Sequence, residues 1–172
     1  MASQAVVNVG ERTLEQFISD YLDAWNSHDP ERLLALMAPD IVYDDSGWPQ
    51  TMRSHADVRE FATHSWRAFP DLRFELLEGP YELGEDKAAF WWRGTGTLTG
   101  PLDPPGFAPT GKRFDIDGAD FHEFRDGKIV RLRIVFDVAG ASQQLGLAPG
   151  PGSRAERMAV AVQRLGRRLA RH

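Results

Sequence analysis

The sequence has no cysteine in its 172 residues. Disulfide scaffolds, thiolate nucleophiles and Cys-based zinc or iron–sulfur sites are therefore excluded outright. No uncharged run approaches the roughly 18 apolar residues that a membrane span needs. The opening MASQAVVNVG has neither a basic segment nor a long apolar stretch, so a cytoplasmic chain without a secretory signal is expected. There is no Walker A loop, no GxGxxG and no HExxH. No pair among His28, His55 and His64 has metal-ligand spacing, and the three read as surface or capping residues. Gly94-Thr-Gly-Thr-Leu-Thr-Gly100 is rich in glycine but sits in or at the end of a strand, not before a helix. The expectation is a protein without metal or cofactor.

An excess of positive charge is also missing, with 20 Lys and Arg against 25 Asp and Glu and a formal charge of −5. That value averages two unlike parts. From Ala148 to the end there are six arginines against one acid, which leaves about −10 on the rest of the chain. An acidic body disfavours nucleic acid as a partner, because phosphate binding needs a basic surface. What is present is 42% hydrophobic and 10% aromatic residues, enough for one packed domain.

Thr13 and Gln16 form a capping box ahead of Leu14, Phe17, Ile18, Tyr21, Leu22 and Trp25, which recur at helical spacing. Asp29-Pro30 opens a short second helix carrying Leu33, Leu34, Leu36 and Met37. Ile41 to Asp45 reads as a short strand, and a third helix starts at Ser54 or His55. From Leu72 the pattern turns to β: Leu72–Leu77, Lys87–Thr97, Lys112–Arg125 and Lys128–Asp137, the last two joined by Asp126-Gly127, a strong hairpin signal. Helices first and strands afterwards predict an α+β fold. A Pro/Gly linker follows at 148–152. Beyond it Met158, Val162, Leu165 and Leu169 mark a basic amphipathic helix, which suits docking on its own domain, on a partner subunit or on an anionic surface, or a mobile tail.

A two-residue turn sets Arg125 opposite Lys128, Phe124 opposite Ile129, His122 opposite Arg131 and Asp120 opposite Arg133. One hairpin face then carries Asp120, His122, Phe124, Ile129, Arg131, Arg133, Val135 and Asp137. The other carries Ala119, Phe121, Glu123, Val130, Leu132, Ile134 and Phe136. In one reading the second face is the core and the first is solvated. In the other, the polar face lines a cavity and the apolar face is buried in a dimer.

The order of elements, with Tyr21-Leu-Asp-Ala-Trp-Asn-Ser-His-Asp29, Ala38-Pro-Asp-Ile-Val-Tyr-Asp-Asp45, Asp126-Gly-Lys-Ile129, and Phe136-Asp137 followed by Gln143-Gln-Leu-Gly146, resembles the SnoaL-like polyketide and ester cyclase branch of the nuclear-transport-factor-2-like superfamily, over about residues 12–147. The resemblance implies a cone-shaped α+β barrel, with three N-terminal helices on a curved antiparallel sheet, a C-terminal helix, an apolar pocket on the concave face and a homodimer through the convex one. It divides the chain into a flexible N-terminus (1–11), the domain (12–147), and a linker with a basic helix (148–172). It places Asp137 as the acid/base aspartate of the cyclases, with Asp120 and His122 as further catalytic pocket residues. Tyr21 resembles the oxyanion tyrosine of the ketosteroid isomerases, and Asp45 or its neighbour Asp44 their base. Leu98 stands where many SnoaL-like sequences have a histidine.

A carboxylate in an apolar pocket has its pKa raised by desolvation, into the range where it accepts and returns a proton. With a neutral donor such as the Tyr21 hydroxyl, it removes a proton alpha to a carbonyl and stabilises the enolate. The substrate-binding set is Tyr21, Trp25, Asp45, Trp48, Trp92 and Arg133, which suits a hydrophobic polyketide- or steroid-like molecule. The polar members have plainer roles too: Tyr21 as core, Asp44 and Asp45 as turn residues, His122 as a cross-strand neighbour, Asp137 as a helix cap. The expected activity is cofactor-free polyketide cyclase-like acid/base chemistry. Isomerisation, epoxide opening and simple small-molecule binding remain alternatives.

Overall fold

The structure is a computed structural model that describes residues 7–169. Five helices and five strands follow in the order α1 (Leu14–Asn26), α2 (Pro30–Leu34), β1 (Met37–Asp45), α3 (His55–Ala68), β2 (Arg73–Glu82), β3 (Lys87–Thr97), β4 (Arg113–Arg125), β5 (Lys128–Phe136), α4 (Val138–Gln144) and α5 (Arg154–Leu169). The α+β class and the C-terminal helix are as expected. Local chemistry sets the helix starts. Thr13 and Gln16 close the capping box on α1, Asp29 caps α2 with Pro30 in its first turn, and the Ser54 hydroxyl accepts from Asp57 N at 3.2 Å. α2 is shorter than its leucines suggest: Met37 already belongs to β1.

The strands form one sheet in the order β1-β5-β4-β3-β2. It is not wholly antiparallel, because β1 runs parallel to β5 while the other neighbours are antiparallel. α1 packs on β2 and α3 against β1, so the helices close over one face of a curved sheet and the core fills the space between. The segment 1–11, expected to be a flexible start, is described from Val7 onward. Val7 and Val9 are buried in that core, with Gly10 against the Gly127 turn; the remainder of that segment, 1–6, lies outside the described residues.

The hairpin departs from its predicted register. Asp126 and Gly127 both have positive φ, at 52° and 70°, as a tight two-residue turn requires. Arg125 pairs with Lys128 and Phe124 with Ile129, but the register then shifts and Val130 is left unpaired, so Glu123 faces Arg131, His122 faces Leu132 and Asp120 faces Ile134. This bulge turns β5 over relative to β4. Asp120, His122 and Phe124 point inward, as the resemblance implies. Beyond the bulge, Leu132 and Ile134 are also buried while Arg131, Arg133 and Val135 are exposed. Arg133 therefore does not line the cavity under the helices, and Leu132 and Ile134 are core, not dimer surface. The physical reason is solvation: in the simple register two arginines would enter an apolar core beside one aspartate.

Leu132→Ala should therefore cost about 2–5 kcal/mol of stability, the range for deleting a buried leucine. Urea denaturation reads that loss. An unchanged midpoint accompanied by a change in oligomeric state would place Leu132 on an interface instead.

Candidate active site

Between the helices and the concave sheet face lies a cavity of about 300 Å³. α1 contributes Tyr21, Leu22 and Trp25, β1 Tyr43 and Asp45, α3 Phe61, His64 and Ser65, and the sheet Phe74, Trp92, Phe114, Asp120, Ile134 and Phe136. Leu102, Pro104, Pro105 and Phe107 close one side from the long β3–β4 loop. Aromatic rings dominate and pack edge to face: Trp25 lies 5.9 Å from Phe61 and 5.7 Å from Phe74, and Phe74 lies 5.2 Å from Trp92.

Within this apolar wall sit two enclosed carboxyl groups, Asp45 and Asp120, and two phenols, while a third aspartate, Asp103, is exposed on the loop side. Strand alternation sorts the pair that ends β1. Ile41, Tyr43 and Asp45 share the inner face. Asp44 points away, accepting from Thr51 Oγ1 at 2.6 Å and lying 3.8 Å from Arg131. The Asp45 side chain accepts a 2.7 Å bond from Gly47 N. Although the residue as a whole is half-buried, its carboxyl is enclosed. Burial pushes the Asp45 carboxyl up to about 7, against the Gly47 N–H that holds it down, and the nearby Asp120 charge adds to the push.

Asp120 is buried and better supplied. Trp92 Nε1 donates to its Oδ1 at 2.6 Å, and His122 Nε2 lies 3.4 Å from Oδ2. The indole reaches Asp120 because Gly118 stands opposite Trp92 in the ladder; a Cβ at Gly118 would overlap the Trp92 ring. Among the described residues, Tyr21 Oη and Tyr43 Oη are buried without a protein hydrogen-bond partner. Burial, with the charge of Asp120, pushes the Tyr21 phenol well above its ordinary value. Burial with its phenolic and acidic neighbours does the same for Tyr43. Both therefore remain neutral donors. The arrangement is a proton acceptor poised near neutrality, facing unpartnered O–H groups in an apolar space.

The predicted residues divide clearly. Tyr21, Trp25, Asp45, Trp48, Trp92 and Asp120 all line the cavity. His122 is buried behind Asp120, 4.9 Å from the Tyr21 ring, and does not line it. Asp137, expected to point inward, is exposed; its Oδ1 accepts from Gly140 N at 2.8 Å and caps α4. The chain turns into a helix there, and the cap takes the carboxylate. Tyr43 and His64 are among the cavity residues that the sequence reading does not single out. Tyr43 is legible from the alternation of β1. His64, read as a surface or capping residue, has a buried Nδ1 without a protein partner, and nothing in its helix spacing marks it as different from its neighbours.

The SnoaL-like domain family matches residues 18–132. The chain belongs to that family. No curated protein sequence matches it. Among solved structures, AclR from Streptomyces galilaeus, described as a candidate hydroxylase, is 25% identical with a TM-score of 0.67, over 92% of this chain and 96% of that one. IdmH from Streptomyces antibioticus, described as a candidate polyketide cyclase, is 27% identical with a TM-score of 0.63, over 77% and 97%. A protein of ketosteroid isomerase-like fold from Catenulispora acidiphila shares the fold at 18% identity and a TM-score of 0.67, over 79% and 96%. This SnoaL-like chain thus has the cone fold expected of it, and its family supports a cyclase-like role in general. No described helix is long and apolar enough to cross a membrane.

Asp45 also makes a stability prediction. Its folded-state value near 7 lies above the ordinary 3.8, so the folded chain holds a proton that the unfolded chain releases. Stability from this group is full below about pH 4 and is lost as pH rises towards 7. Asp45→Asn should therefore become more stable than the parent over that window, by up to about 4 kcal/mol. Denaturant midpoints between pH 4 and 8 measure it, and a difference that stays flat with pH would show that the carboxyl is not desolvated.

Proposed function

We propose that this protein is a cofactor-independent acid/base enzyme of polyketide cyclase type, acting on a flat, hydrophobic ketone. The observation that carries this reading is the meeting in one apolar cavity of a carboxyl poised near pH 7 and two neutral, unpartnered phenols. Asp45 accepts a proton from the carbon alpha to a carbonyl. Negative charge develops on the carbonyl oxygen, and the Tyr21 and Tyr43 hydroxyls donate to it as it forms. The enolate carbon then attacks a second carbonyl of the same molecule. One C–C bond forms, the attacked oxygen becomes an alkoxide, and protonated Asp45 returns its proton to it. Reprotonation at another carbon would give an isomerisation from the same intermediate. Trp25, Trp48 and Trp92 hold the ring system by stacking and shape. Asp120, tied to Trp92 and His122, holds the acidic side of the cavity in place. The acid/base role that the resemblance assigns to Asp137 passes to Asp45.

Exchange of alpha protons with deuterated water, followed by mass spectrometry on a panel of polycyclic ketones, tests this without knowing the substrate. Exchange should rise with pH through about 7, following the Asp45 carboxyl. Asp45→Asn should abolish it while leaving the ketone bound, and Tyr21→Phe should slow it about 100-fold. Undiminished exchange in Asp45→Asn would defeat the assignment; tight binding with no exchange in the parent would favour a receptor.

The family resemblance also implies a homodimer through the convex face. The apolar surface that fits it is Trp91, Phe121 and Val135, all exposed and joined across the ladder through Ala89 and Ala119. Phe121→Asp should break this contact, read by light scattering as a lower average mass than the parent, with little change in melting temperature. A variant that stays dimeric moves the interface elsewhere.

A further inference from the structure

β2 is one of the two edge strands of the sheet. Its start is held by α1, where Asn26 Nδ2 donates to Phe74 O at 2.9 Å and Asn26 Oδ1 accepts from Phe74 N at 2.8 Å. Beyond Phe74 that cover ends, and Leu76, Leu77, Tyr81 and Leu83 are all exposed. Between Phe74 and Lys87 stand Glu75, Glu78, Glu82, Glu85 and Asp86, with no basic residue among them. Edge strands are usually protected by charge, proline and bulges. The acids, Pro80 and the register shifts after Leu76 and Glu78 do this here. Such protection does not account for four large apolar side chains interleaved with the acids.

α5 has the opposite character. Met158, Val162 and Leu165 recur at i, i+4 and i+7 and are 67%, 66% and 58% exposed. Arg154, Arg157, Arg164 and Arg167 stand on the same helix against Glu156, and helical geometry puts Arg157 and Arg164 along one flank of the stripe. An isolated helix of this length is marginal in water. Its apolar stripe therefore calls for a surface to cover it.

We propose that α5 of one copy lays its apolar stripe on the exposed β2 edge of a second copy, with its arginines against the β2 glutamates. Each surface is apolar and carries a net charge, and the signs are opposite, so one contact removes both apolar strips from water and pairs the charges. The stripe of α5 stands exposed in its own chain, so the contact is made between copies. An anionic membrane is the poorer occupant. The stripe lacks the Trp and Phe that anchor interfacial helices, and the acidic body, near −10, is repelled by such a surface.

The absence of native cysteine makes the contact open to disulfide trapping. Full-length Leu77→Cys and Val162→Cys, both at exposed positions, are mixed and mildly oxidised. The expected product is a disulfide between the two variants, at least about tenfold above a mixture in which Gln163→Cys, off the stripe, replaces Val162→Cys. Arg157→Glu with Arg164→Glu on the helix variant should lower the yield about tenfold, and Glu78→Arg with Glu82→Arg on the strand variant should restore it. Three outcomes would overturn the proposal: a yield no higher than the control, closure of the disulfide within single chains of a Leu77→Cys/Val162→Cys double variant, or sedimentation of the parent with phosphatidylglycerol vesicles in place of trapping.

Discussion

Two carboxyl groups, Asp45 and Asp120, are held away from water inside one apolar cavity, and most of the interior is arranged around that cost. Removing an ionised carboxylate from water costs several kcal/mol unless hydrogen bonds or charges replace the lost hydration. The chain treats its two acids unequally. Asp120 is bonded by the Trp92 indole and neighboured by His122, a contact that needs glycine at position 118 so that the indole can lie across β4. Asp45 has one backbone N–H, from Gly47. The poorly supplied carboxyl is the one left holding its proton to about pH 7.

That inequality survives only if cations are kept out. An arginine within about 4–6 Å of a carboxylate lowers its pKa by roughly 1–3, which would return Asp45 towards an ordinary ionised acid. The unpaired Val130 prevents this. Without the bulge, β5 would turn Arg131 and Arg133 inward, facing His122 and Asp120. With it, both arginines stand on the outer face and Leu132 and Ile134 take their places. One extra residue in a hairpin therefore sets both the packing of the core and the proton affinity of the cavity.

Much of this is legible in the sequence, and the exceptions have physical causes. Helix starts follow from Thr13, Asp29-Pro30 and Ser54, because caps are local chemistry. Asp126-Gly127 locates the hairpin turn for the same reason. The register beyond it does not follow, since a bulge depends on what both faces bury and not on the turn. A trace is present even so: Ile129 and Val130 are adjacent apolar residues, after which the inward pattern resumes at Leu132, Ile134 and Phe136. Asp137 can be read two ways because a strand-end aspartate and a helix N-cap look alike until the chain direction is known. Tyr43 follows from the same alternation that separates Asp45 from Asp44. His64 does not, because an unpartnered ring nitrogen is a property of the assembled cavity.

The two phenols sharpen what the cavity is for. A buried hydroxyl with no partner costs about 1–3 kcal/mol, and Tyr21 and Tyr43 present two in the wall that also holds Asp45. If packing alone had shaped this region, phenylalanine at both positions would fill the same space without that cost. A ligand oxygen that accepts from both hydroxyls recovers it, and recovers more as the oxygen gains negative charge, because the gain grows with the charge developed in a low-dielectric site. The same desolvation that leaves Asp45 reluctant to ionise strengthens that bond. In the proposed reaction, base strength and oxyanion stabilisation draw on a single physical source, the exclusion of water by the aromatic wall, and opening that wall would weaken both together.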